Sequence, residues 1–364
     1  MNDKFDIKMI SAKPNKSIEY IEYLKNADKP IIIFAASGAG KGFYRMFVKQ
    51  GINITCFGDN SINKIGSKLI IDEHALDILS FQDILNNYPD AYIVICSRPY
   101  RAEIAKQFIQ AGYDTRNIFA FDYNRSNVDI IEHINKYLNL YKEVYSIFNE
   151  DHSRNVFINR LSFLNTYDSE FIVRMKSNNA MYFDNDIMML KDNEIIIDGG
   201  GYNGDTFKEY VKLSDNYLKY YFCEPDPVNM NNAMKNLSEY ENIFFIQKGL
   251  WCKSDILTFS SNADGRSRLS ENGNMKLKVT SIDELLDGKS VTLIKMDIEG
   301  AEMEALKGAK YTIQKYKPKL AICVYHKSED IFEIPLYIKE LLPDYKLYLR
   351  HYSIGMNDTV WYAI

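Results

Sequence analysis

A glycine-rich segment that follows an apolar run contains residue types that suit ligand binding. Residues 194–198 read EIIID, and residues 199–206 read GGGYNGDT. Glycines at a strand end let the backbone turn sharply and approach a ligand, and the helix that follows offers free N–H groups. Glu224 ends the next apolar run, twenty residues after Gly204, where a carboxylate suits the two hydroxyls of a ribose. This pattern predicts a nucleotide-cofactor site.

Two more acids follow a later apolar run. Asp297 and Glu299 come after residues 291–296, and α/β proteins hold their ligands at this carboxyl edge of a parallel sheet. A nicotinamide dinucleotide and S-adenosylmethionine both fit the residues described so far. An NAD(P)-dependent oxidoreductase that uses the glycine-rich turns at 36–42 and 199–204 is therefore an alternative to a methyltransferase.

The surroundings of these acids resemble a known family. Residues 295–309, KMDIEGAEMEALKGA, are similar to the signature of the FkbM family of S-adenosylmethionine-dependent methyltransferases. The resemblance covers about residues 180–364 and includes DGGGYNGDT, FCEPDP, KGLW, VTSIDELL, VYHKSED and the closing LRHYS and TVWYAI. It implies methyl transfer from S-adenosylmethionine, with S-adenosylhomocysteine as the product. We interpret the reaction as O-methylation of a saccharide or glycoconjugate precursor.

The resemblance also implies the members of a cofactor site. The glycine turn would hold the methionine part of the cofactor, and Glu224 would bind the ribose. Residues 249–251 would line the adenine, and the Asp297 carboxylate would complement the positive charge of the sulfonium or amino group. The predicted cofactor-binding residues are Asp198, Gly199, Gly200, Gly201, Gly204, Asp205, Thr206, Glu224, Pro225, Asp226, Gly249, Leu250, Trp251 and Asp297.

Transfer to an alcohol oxygen requires positioning of the acceptor and removal of the hydroxyl proton by a base within hydrogen-bond reach. His326 ends the fifth apolar run, at the sheet edge that carries Asp297. We therefore predict His326 as the general base, with Asp297 and Glu299 as the other catalytic residues. These two acids would also suit a divalent cation. We do not favour a metal and predict no metal ligands.

The acceptor is expected to contact two further parts of the sequence. Residues 260–275 form a polar insertion that is either a solvated loop or a lid whose arginines grip hydroxyl, phosphate or carboxylate groups. The turn-forming YLRHYS near residue 350 supplies a second candidate base, His351. The predicted acceptor-binding residues are Arg266, Ser267, Arg268, Tyr325, Arg350 and His351.

Two β-α alternations are needed to position these residues. We predict two doubly wound, Rossmann-like α/β domains joined by a helical connector, at residues 1–126, 127–189 and 190–364. The C-terminal domain is expected to be a seven-stranded sheet of the class I methyltransferase type that ends in an antiparallel hairpin. The predicted strands are 30–35, 52–58, 91–96, 117–121, 194–198, 219–223, 243–247, 291–296, 319–325, 345–352 and 358–364. The predicted helices are about 41–50, 80–88, 99–111, 204–213, 227–237, 302–316 and 331–342.

The amino-terminal domain has a glycine-rich turn of its own. Residues 36–42, ASGAGKG, lack the glycine spacing and the Ser or Thr of a P-loop, and Phe43 replaces the third glycine of a dinucleotide fingerprint. Asp59 follows the second strand and suits a ribose or sugar hydroxyl. Through FAASGAGKGFYRMF and CFGDN the domain loosely resembles nucleotide-sugar-binding domains, which implies either a nucleotide-linked sugar acceptor or a scaffold. A non-catalytic nucleotide-sugar-binding module is the remaining alternative.

The composition excludes several classes of partner. The 364 residues carry 44 Lys and Arg against 49 Asp and Glu, a net charge of −5, without the basic block that nucleic acids require. Because no apolar run would span a membrane and the first residues lack the apolar core of a signal peptide, we predict a cytoplasmic protein. The five cysteines lack a C-x-x-C pair, which disfavours zinc and disulfides. The helical connector would suit the interface of a homodimer. The other predicted partners are small-molecule acceptors.

Overall fold

The structure of the protein, a computed structural model, describes residues 4–97, 100–119, 129–214, 216–261, 267–269 and 275–364. Among these residues the chain forms two compact units. The larger unit takes in the described parts of 1–10, 133–161 and 171–364, and the smaller unit those of 11–132 and 162–170. Most of the predicted connector, residues 127–189, therefore belongs to the larger unit.

The smaller unit has an α/β fold, in which helices accompany one β-sheet. Its described strands are β1 (Ile31–Phe34), β2 (Cys56–Gly58), β3 (Lys68–Ile71), β4 (His74–Leu79), β5 (Tyr92–Ile95) and β6 (Ile118–Phe119). They form one sheet in the order β3-β4-β2-β1-β5-β6. The fully buried β1 pairs in parallel with β2 and β5, as expected of a continuous apolar run. The antiparallel hairpin of β3 and β4 was not predicted, because most of its residues are exposed or half-buried and give no apolar run.

Four helices accompany this sheet in the described chain: α1 (Lys16–Lys25), α2 (Gly38–Lys49), α3 (Phe81–Asn87) and α4 (Arg101–Gln110). The sequence predicts the last three. Helix α2 begins three residues earlier than predicted, because the Ser37 hydroxyl accepts a hydrogen bond from the Gly40 amide and caps the helix. Residues 120 and 121 of the predicted strand 117–121 lie outside the described residues.

The larger unit contains a seven-stranded sheet and a four-stranded sheet. Its described strands are β7 (Glu194–Gly199), β8 (Tyr217–Cys223), β9 (Ile243–Ile246), β10 (Gly249–Leu250), β11 (Asp255–Ser261), β12 (Ser267–Leu269), β13 (Met275–Thr280), β14 (Leu293–Met296), β15 (Lys319–Cys323), β16 (Leu347–His351) and β17 (Thr359–Ala363). The large sheet has the order β16-β17-β15-β14-β7-β8-β9. Five of its strands are parallel, and the final hairpin is antiparallel. The predicted α/β fold, with its terminal hairpin, is confirmed.

The four-stranded sheet corrects the prediction of a polar insertion at 260–275. Strand β11 runs to Ser261, β12 covers 267–269, and β13 begins at Met275, in the order β10-β13-β11-β12. The hairpin pairs Ser260 with Arg268, so the described residues of the segment, 260–261, 267–269 and 275, belong to a sheet. Of the predicted acceptor residues here, Ser267 and Arg268 lie in β12, and Arg266 lies outside the described residues.

The remaining described helices are α5 (Ile130–Lys136), α6 (Leu138–Ser146), α7 (Asp151–Thr166), α8 (Ser169–Met175), α9 (Asp205–Leu213), α10 (Pro227–Asn236), α11 (Ile282–Leu286), α12 (Glu302–Lys307), α13 (Lys310–Tyr316) and α14 (Asp330–Leu341), with short 3₁₀ helices at Ile7–Met9 and Thr115–Asn117. The predicted helix 302–316 is two helices that meet at Gly308, where a Cβ would lie 2.2 Å from the Trp251 carbonyl oxygen. Across the described residues, no helix is both long and apolar enough to cross a bilayer.

Candidate functional site

A cavity of about 530 Å³ lies at the carboxyl ends of β7, β8 and β14. Parallel strands that end at one edge bring distant sequence segments together, and α/β folds bind their ligands there. The predicted site residues that line this cavity are Gly200, Asp205, Thr206, Glu224, Pro225, Asp226, Gly249, Leu250, Trp251, Asp297 and Glu299. The two acidic segments and the glycine turn identified from the sequence therefore belong to one site.

The glycine turn after β7 is packed too tightly for side chains. Gly200 has a φ of 74°, and a Cβ built on it would lie 1.9 Å from the Asp297 carbonyl oxygen. A Cβ on Gly201 would lie 2.4 Å from the Phe222 ring. The Gly200 amide donates a hydrogen bond to the Cys223 carbonyl at 2.9 Å. Only glycine permits this close approach of β7 to its two neighbouring strands.

A buried lysine lies beneath this turn. The Lys295 ammonium donates hydrogen bonds to Asp198 Oδ1 at 2.8 Å, to the Gly200 carbonyl at 2.8 Å and to the Gly199 carbonyl at 3.1 Å. Burial by itself would lower the pKa of Lys295, but Asp198 and Asp297 outweigh it and the pKa is raised. Lys295 therefore remains charged and fixes the carbonyls of the turn.

Asp198 does not occupy the position that the sequence predicted for it. Its carboxylate is fully buried, and besides Lys295 it accepts a hydrogen bond from the Tyr220 hydroxyl at 2.8 Å. Asp198 lies under the turn and supports it, whereas the resemblance implied contact with the methionine part of the cofactor. Gly199, Gly201 and Gly204 likewise shape the turn without belonging to the described cavity wall.

Glu224 lines the cavity at the end of β8. Its Oε2 accepts a hydrogen bond from the Tyr202 amide at 3.0 Å, and its Oε1 accepts one from the Asp226 amide at 2.9 Å. Burial raises the pKa of this carboxyl. Each oxygen can accept a second hydrogen bond, so the oriented carboxylate suits a vicinal diol. Asp226 also has a structural role. Its side chain caps α10 by accepting hydrogen bonds from the amides of Val228 and Asn229.

An apolar wall continues the cavity beyond Glu224. Leu250 ends β10 and Trp251 follows it, and Leu277 and Val279 approach from β13, which pairs with β10. Sequence reasoning missed the two β13 residues, because their contribution depends on a sheet that the polar composition of 260–275 did not reveal. These side chains suit the faces of a planar, apolar ring system.

Asp297 carries an oriented negative charge at the opposite end of the cavity. Its Oδ2 accepts a hydrogen bond from the Tyr182 hydroxyl at 2.7 Å, and its Oδ1 accepts one from the Tyr325 hydroxyl at 2.9 Å. Burial would raise the pKa of this carboxyl, but Lys295, His326 and the two hydroxyls outweigh it and lower the pKa. Asp297 is therefore ionised at neutral pH. Tyr182, which also lines the cavity, was missed because no motif surrounds it.

His326 lies behind Asp297 and is only 9% exposed. Its Nδ1 is 2.9 Å from Glu302 Oε1, and its Nε2 is 3.3 Å from Asp297 Oδ1 and 3.8 Å from Glu299 Oε2. Burial lowers the pKa of the imidazole, but the three carboxylates outweigh it and raise the pKa. Nearby, burial and Glu302 raise the pKa of Asp330 to about 7. Sequence reasoning did not single out Glu302, although it lies within the quoted signature.

Arg350 and His351 do not lie where the sequence predicted. Arg350 Nη1 donates hydrogen bonds to Glu150 Oε1 at 2.6 Å and to Ser153 Oγ at 3.1 Å. His351 is fully buried, with Nδ1 2.8 Å from Thr359 Oγ1. Both residues belong to β16, within the predicted strand 345–352. Arg350 Nη1 and His351 Nδ1 have partners within the unit, and neither residue lines the described cavity.

The smaller unit has a cavity of its own, of about 710 Å³, at the ends of its strands. Asp59 lines it, as predicted for a sugar-binding acid. Its carboxylate accepts hydrogen bonds from the amides of Ala36 at 2.9 Å and Ser61 at 2.8 Å, and from Lys64 Nζ at 3.0 Å. These contacts use most of its accepting capacity.

The family comparison decides between the interpretations of the larger unit. Residues 198–350 match the family described as the methyltransferase FkbM domain. This segment is a methyltransferase FkbM domain. The FkbM domain contains the glycine turn, Glu224, Asp297 and His326, so the resemblance seen in the sequence is confirmed. The match favours a methyltransferase over an oxidoreductase.

A solved structure shares this fold. The chain resembles methyltransferase FkbM from Methylobacillus flagellatus KT with a TM-score of 0.70 and 20% identity, over 98% of this chain and 95% of that chain. More distant is fibrillarin from Aeropyrum pernix, solved with natively bound S-adenosyl-L-methionine (TM-score 0.31, 14% identity, 48% and 67% coverage). An rRNA methylase from Streptococcus thermophilus is similarly distant (TM-score 0.32, 16% identity, 48% and 86% coverage). Comparison with curated proteins gave no match.

Proposed function

We propose that the FkbM domain catalyses S-adenosylmethionine-dependent methylation of a hydroxyl on a saccharide or glycoconjugate precursor. One observation carries the proposal: a single cavity is lined by the Glu224 carboxylate after β8, the ionised Asp297 carboxylate after β14 and the glycine turn after β7, the strand between them. A diol acceptor and a counter-charge to a cation are the groups that a ribose and a sulfonium or ammonium require.

The charges of the cavity favour this cofactor over a dinucleotide. Asp205 is the first residue of α9 and lines the cavity, at the helix N-terminus where a diphosphate would otherwise bind. Asp205 and Asp297 would repel the negative charge of a diphosphate, whereas they attract the cationic methionine part of S-adenosylmethionine. Leu250 and Val279 would then pack against the adenine, and Glu224 would accept hydrogen bonds from the ribose.

The acceptor end of the cavity supports a polyhydroxylated substrate. Asp297, Glu299 and Asp358 line this end and present hydrogen-bond acceptors. Sugar hydroxyls donate to carboxylates, whereas an acidic acceptor would be repelled. Binding of a nucleotide-linked sugar by the smaller unit remains a prediction, and its cavity beside Asp59 supports a test with such compounds.

When bound, S-adenosylmethionine supplies an electrophilic methyl group to the acceptor oxygen. The residues of the FkbM domain have to orient that oxygen, exclude water and accept its proton. His326, the base predicted from the sequence, lies next to Asp297, with Nε2 3.3 Å from Asp297 Oδ1, but it is not among the residues that line the described cavity. Because neighbouring carboxylates raise the pKa of His326, the imidazole must lose its own proton before it can take one from an acceptor.

Ligand binding tests the cofactor assignment directly. The full chain is titrated with S-adenosylmethionine, S-adenosylhomocysteine, NAD⁺ and NADP⁺, and both the thermal midpoint and calorimetric affinity are measured. We expect stabilisation by the first two compounds alone. Stabilisation by a nicotinamide dinucleotide instead would overturn the proposal. Transfer of radiolabelled methyl groups to neutral oligosaccharides and nucleotide-linked sugars then tests the acceptor class, and label recovered only on non-hydroxyl groups would contradict it.

A further inference from the structure

We propose that Asp297, Glu302 and His326 form a binding site for a divalent transition-metal cation. The three side chains come from separate elements: Asp297 follows β14, Glu302 is the first residue of α12, and His326 follows β15. One ligand atom from each residue lies within 4.8 Å of the other two. Two carboxylate oxygens and one imidazole nitrogen at such separations are a set that a single cation can draw together.

Unsatisfied buried atoms provide an independent indication of a ligand. Glu302 is fully buried, and its Oε1 accepts a hydrogen bond from the Ile298 amide at 2.8 Å. Its Oε2 has no hydrogen-bond partner among the described residues. Neither ring nitrogen of His326 has a partner in hydrogen-bond geometry there, although carboxylate oxygens lie 2.9 and 3.3 Å away. Burying such groups without partners is costly, and a bound cation would satisfy the Glu302 carboxylate and one ring nitrogen of His326.

The negative charge around these three side chains favours a cation over an anion as the ligand. Glu299 Oε2 lies 3.8 Å from His326 Nε2, on the cavity side, which brings a third carboxylate to the ring. The chain turns back here through left-handed conformations at Glu299, with φ 56°, and Gly300, with φ 95°. Because β14 ends at Met296, Asp297 and Glu299 do not continue the strand.

The mixed donor set indicates the kind of ion. Carboxylates alone suit Mg²⁺ and Ca²⁺, whereas an imidazole nitrogen beside two carboxylates suits Mn²⁺ or Zn²⁺. A cation at this position would lie against the acceptor end of the cavity. Asp297 would bind the cation and also lines the cavity, and Glu299, beside the cluster, lines the cavity too. If the proposed methyl transfer is correct, the cation would lower the pKa of the acceptor hydroxyl. His326 would then be a metal ligand and not the general base.

Metal binding can be measured without knowing the acceptor. The full chain is freed of metal with a chelator, and MnCl₂ is titrated while free Mn²⁺ is followed by electron paramagnetic resonance. ZnCl₂ and MgCl₂ are titrated by calorimetry. We expect one Mn²⁺ or Zn²⁺ per chain and much weaker binding of Mg²⁺. Glu302→Gln and His326→Asn should each weaken Mn²⁺ binding at least tenfold. Glu304→Gln, on the same helix but outside the cluster, should leave it unchanged.

S-adenosylhomocysteine binding by the same variants shows whether they are folded and separates the two proposals. Retained S-adenosylhomocysteine affinity with lost Mn²⁺ binding would support the metal site. No stoichiometric Mn²⁺ or Zn²⁺ in the wild-type chain, or binding that survives both substitutions, would overturn it while leaving the cofactor proposal intact. If a variant fails to fold, Asp297→Asn and the wild-type titration decide the matter. Failure of the wild-type chain to bind S-adenosylhomocysteine would instead contradict the proposed function alone.

Discussion

The Lys295 ammonium and the Asp198 carboxylate form an ion pair of 2.8 Å that is almost completely shielded from solvent. The two residues lie on neighbouring central strands, and the same ammonium also binds the carbonyls of Gly199 and Gly200. This buried ion pair therefore stabilises the glycine turn that lines the cavity. Removing one partner of such a pair leaves the other buried and uncompensated.

Replacing the lysine should disrupt both stability and binding. Lys295→Met is expected to reduce the free energy of unfolding by about 3–5 kcal/mol, the usual scale for breaking a buried pair. It should also weaken S-adenosylhomocysteine binding, because the turn carbonyls lose their donor. Urea denaturation and calorimetry measure the two effects. The double variant Lys295→Met/Asp198→Asn should regain part of the stability without regaining affinity, and full recovery of affinity would argue against the turn-fixing role.

Glu224 should contribute to cofactor binding by accepting hydrogen bonds. We expect Glu224→Gln to weaken S-adenosylhomocysteine binding by roughly 1–3 kcal/mol, the range for hydrogen bonds to a charged group. Glu239→Gln, an exposed residue on the same unit, is the matched control and should bind normally. Calorimetry at neutral pH gives both affinities. Equal affinity of a folded Glu224→Gln variant and wild type would remove Glu224 from the ribose site.

Buried His351 should make the protein sensitive to acid. Burial, with Arg160, lowers the pKa of His351 to about 3 in the folded protein, against 6.5 in an unfolded chain. Between these values the unfolded state binds the extra proton, so stability is fully present above about pH 6.5 and falls by about 1.4 kcal/mol per pH unit as the pH drops. Urea denaturation from pH 7.5 to 4 should show this slope. His351→Gln should flatten it, while the exposed His152→Gln should not.

Steric exclusion at Gly200 can be separated from backbone strain. Gly200→Ala combines a positive φ with a Cβ 1.9 Å from the Asp297 carbonyl oxygen. Gly288 has a similar φ of 76° but no atom within 4 Å of such a Cβ. Gly288→Ala should therefore cost only about 1–2 kcal/mol, the price of the left-handed conformation. Gly200→Ala should be more destabilising and should abolish S-adenosylhomocysteine binding. Similar denaturation midpoints for the two variants would contradict the close packing of the turn.

Local sequence predicted the parts of the site that depend on strand ends. The apolar runs before Gly199, Glu224 and Asp297 are continuous because their strands are buried on both faces, so their carboxyl ends could be recognised. The glycine turn could be recognised as well, because it directly follows one of these apolar runs. The family resemblance added the segment 249–251, which lines the cavity.

Contacts between distant residues could not be read in this way. Lys295 is a single charge in an apolar run, and its partner lies 97 residues away along the chain. Tyr182 meets Asp297 across 115 residues. Arg350 had the polar character of a turn residue, yet Glu150, 200 residues earlier, accepts its hydrogen bond inside the fold. Such partners are determined by tertiary packing, which residue spacing does not encode.

Strand β17 has a consequence for synthesis of the protein. It lies between β15 and β16, and all five of its residues are buried. Until residues 359–363 leave the ribosome, the emerging chain carries β15 with an open, apolar edge and β16 with no strand to pair with. Such an edge readily associates with other chains. Synthesis of this unit therefore passes through a period in which the other six strands of this sheet are available but the sheet cannot close, and in which chaperone protection matters most.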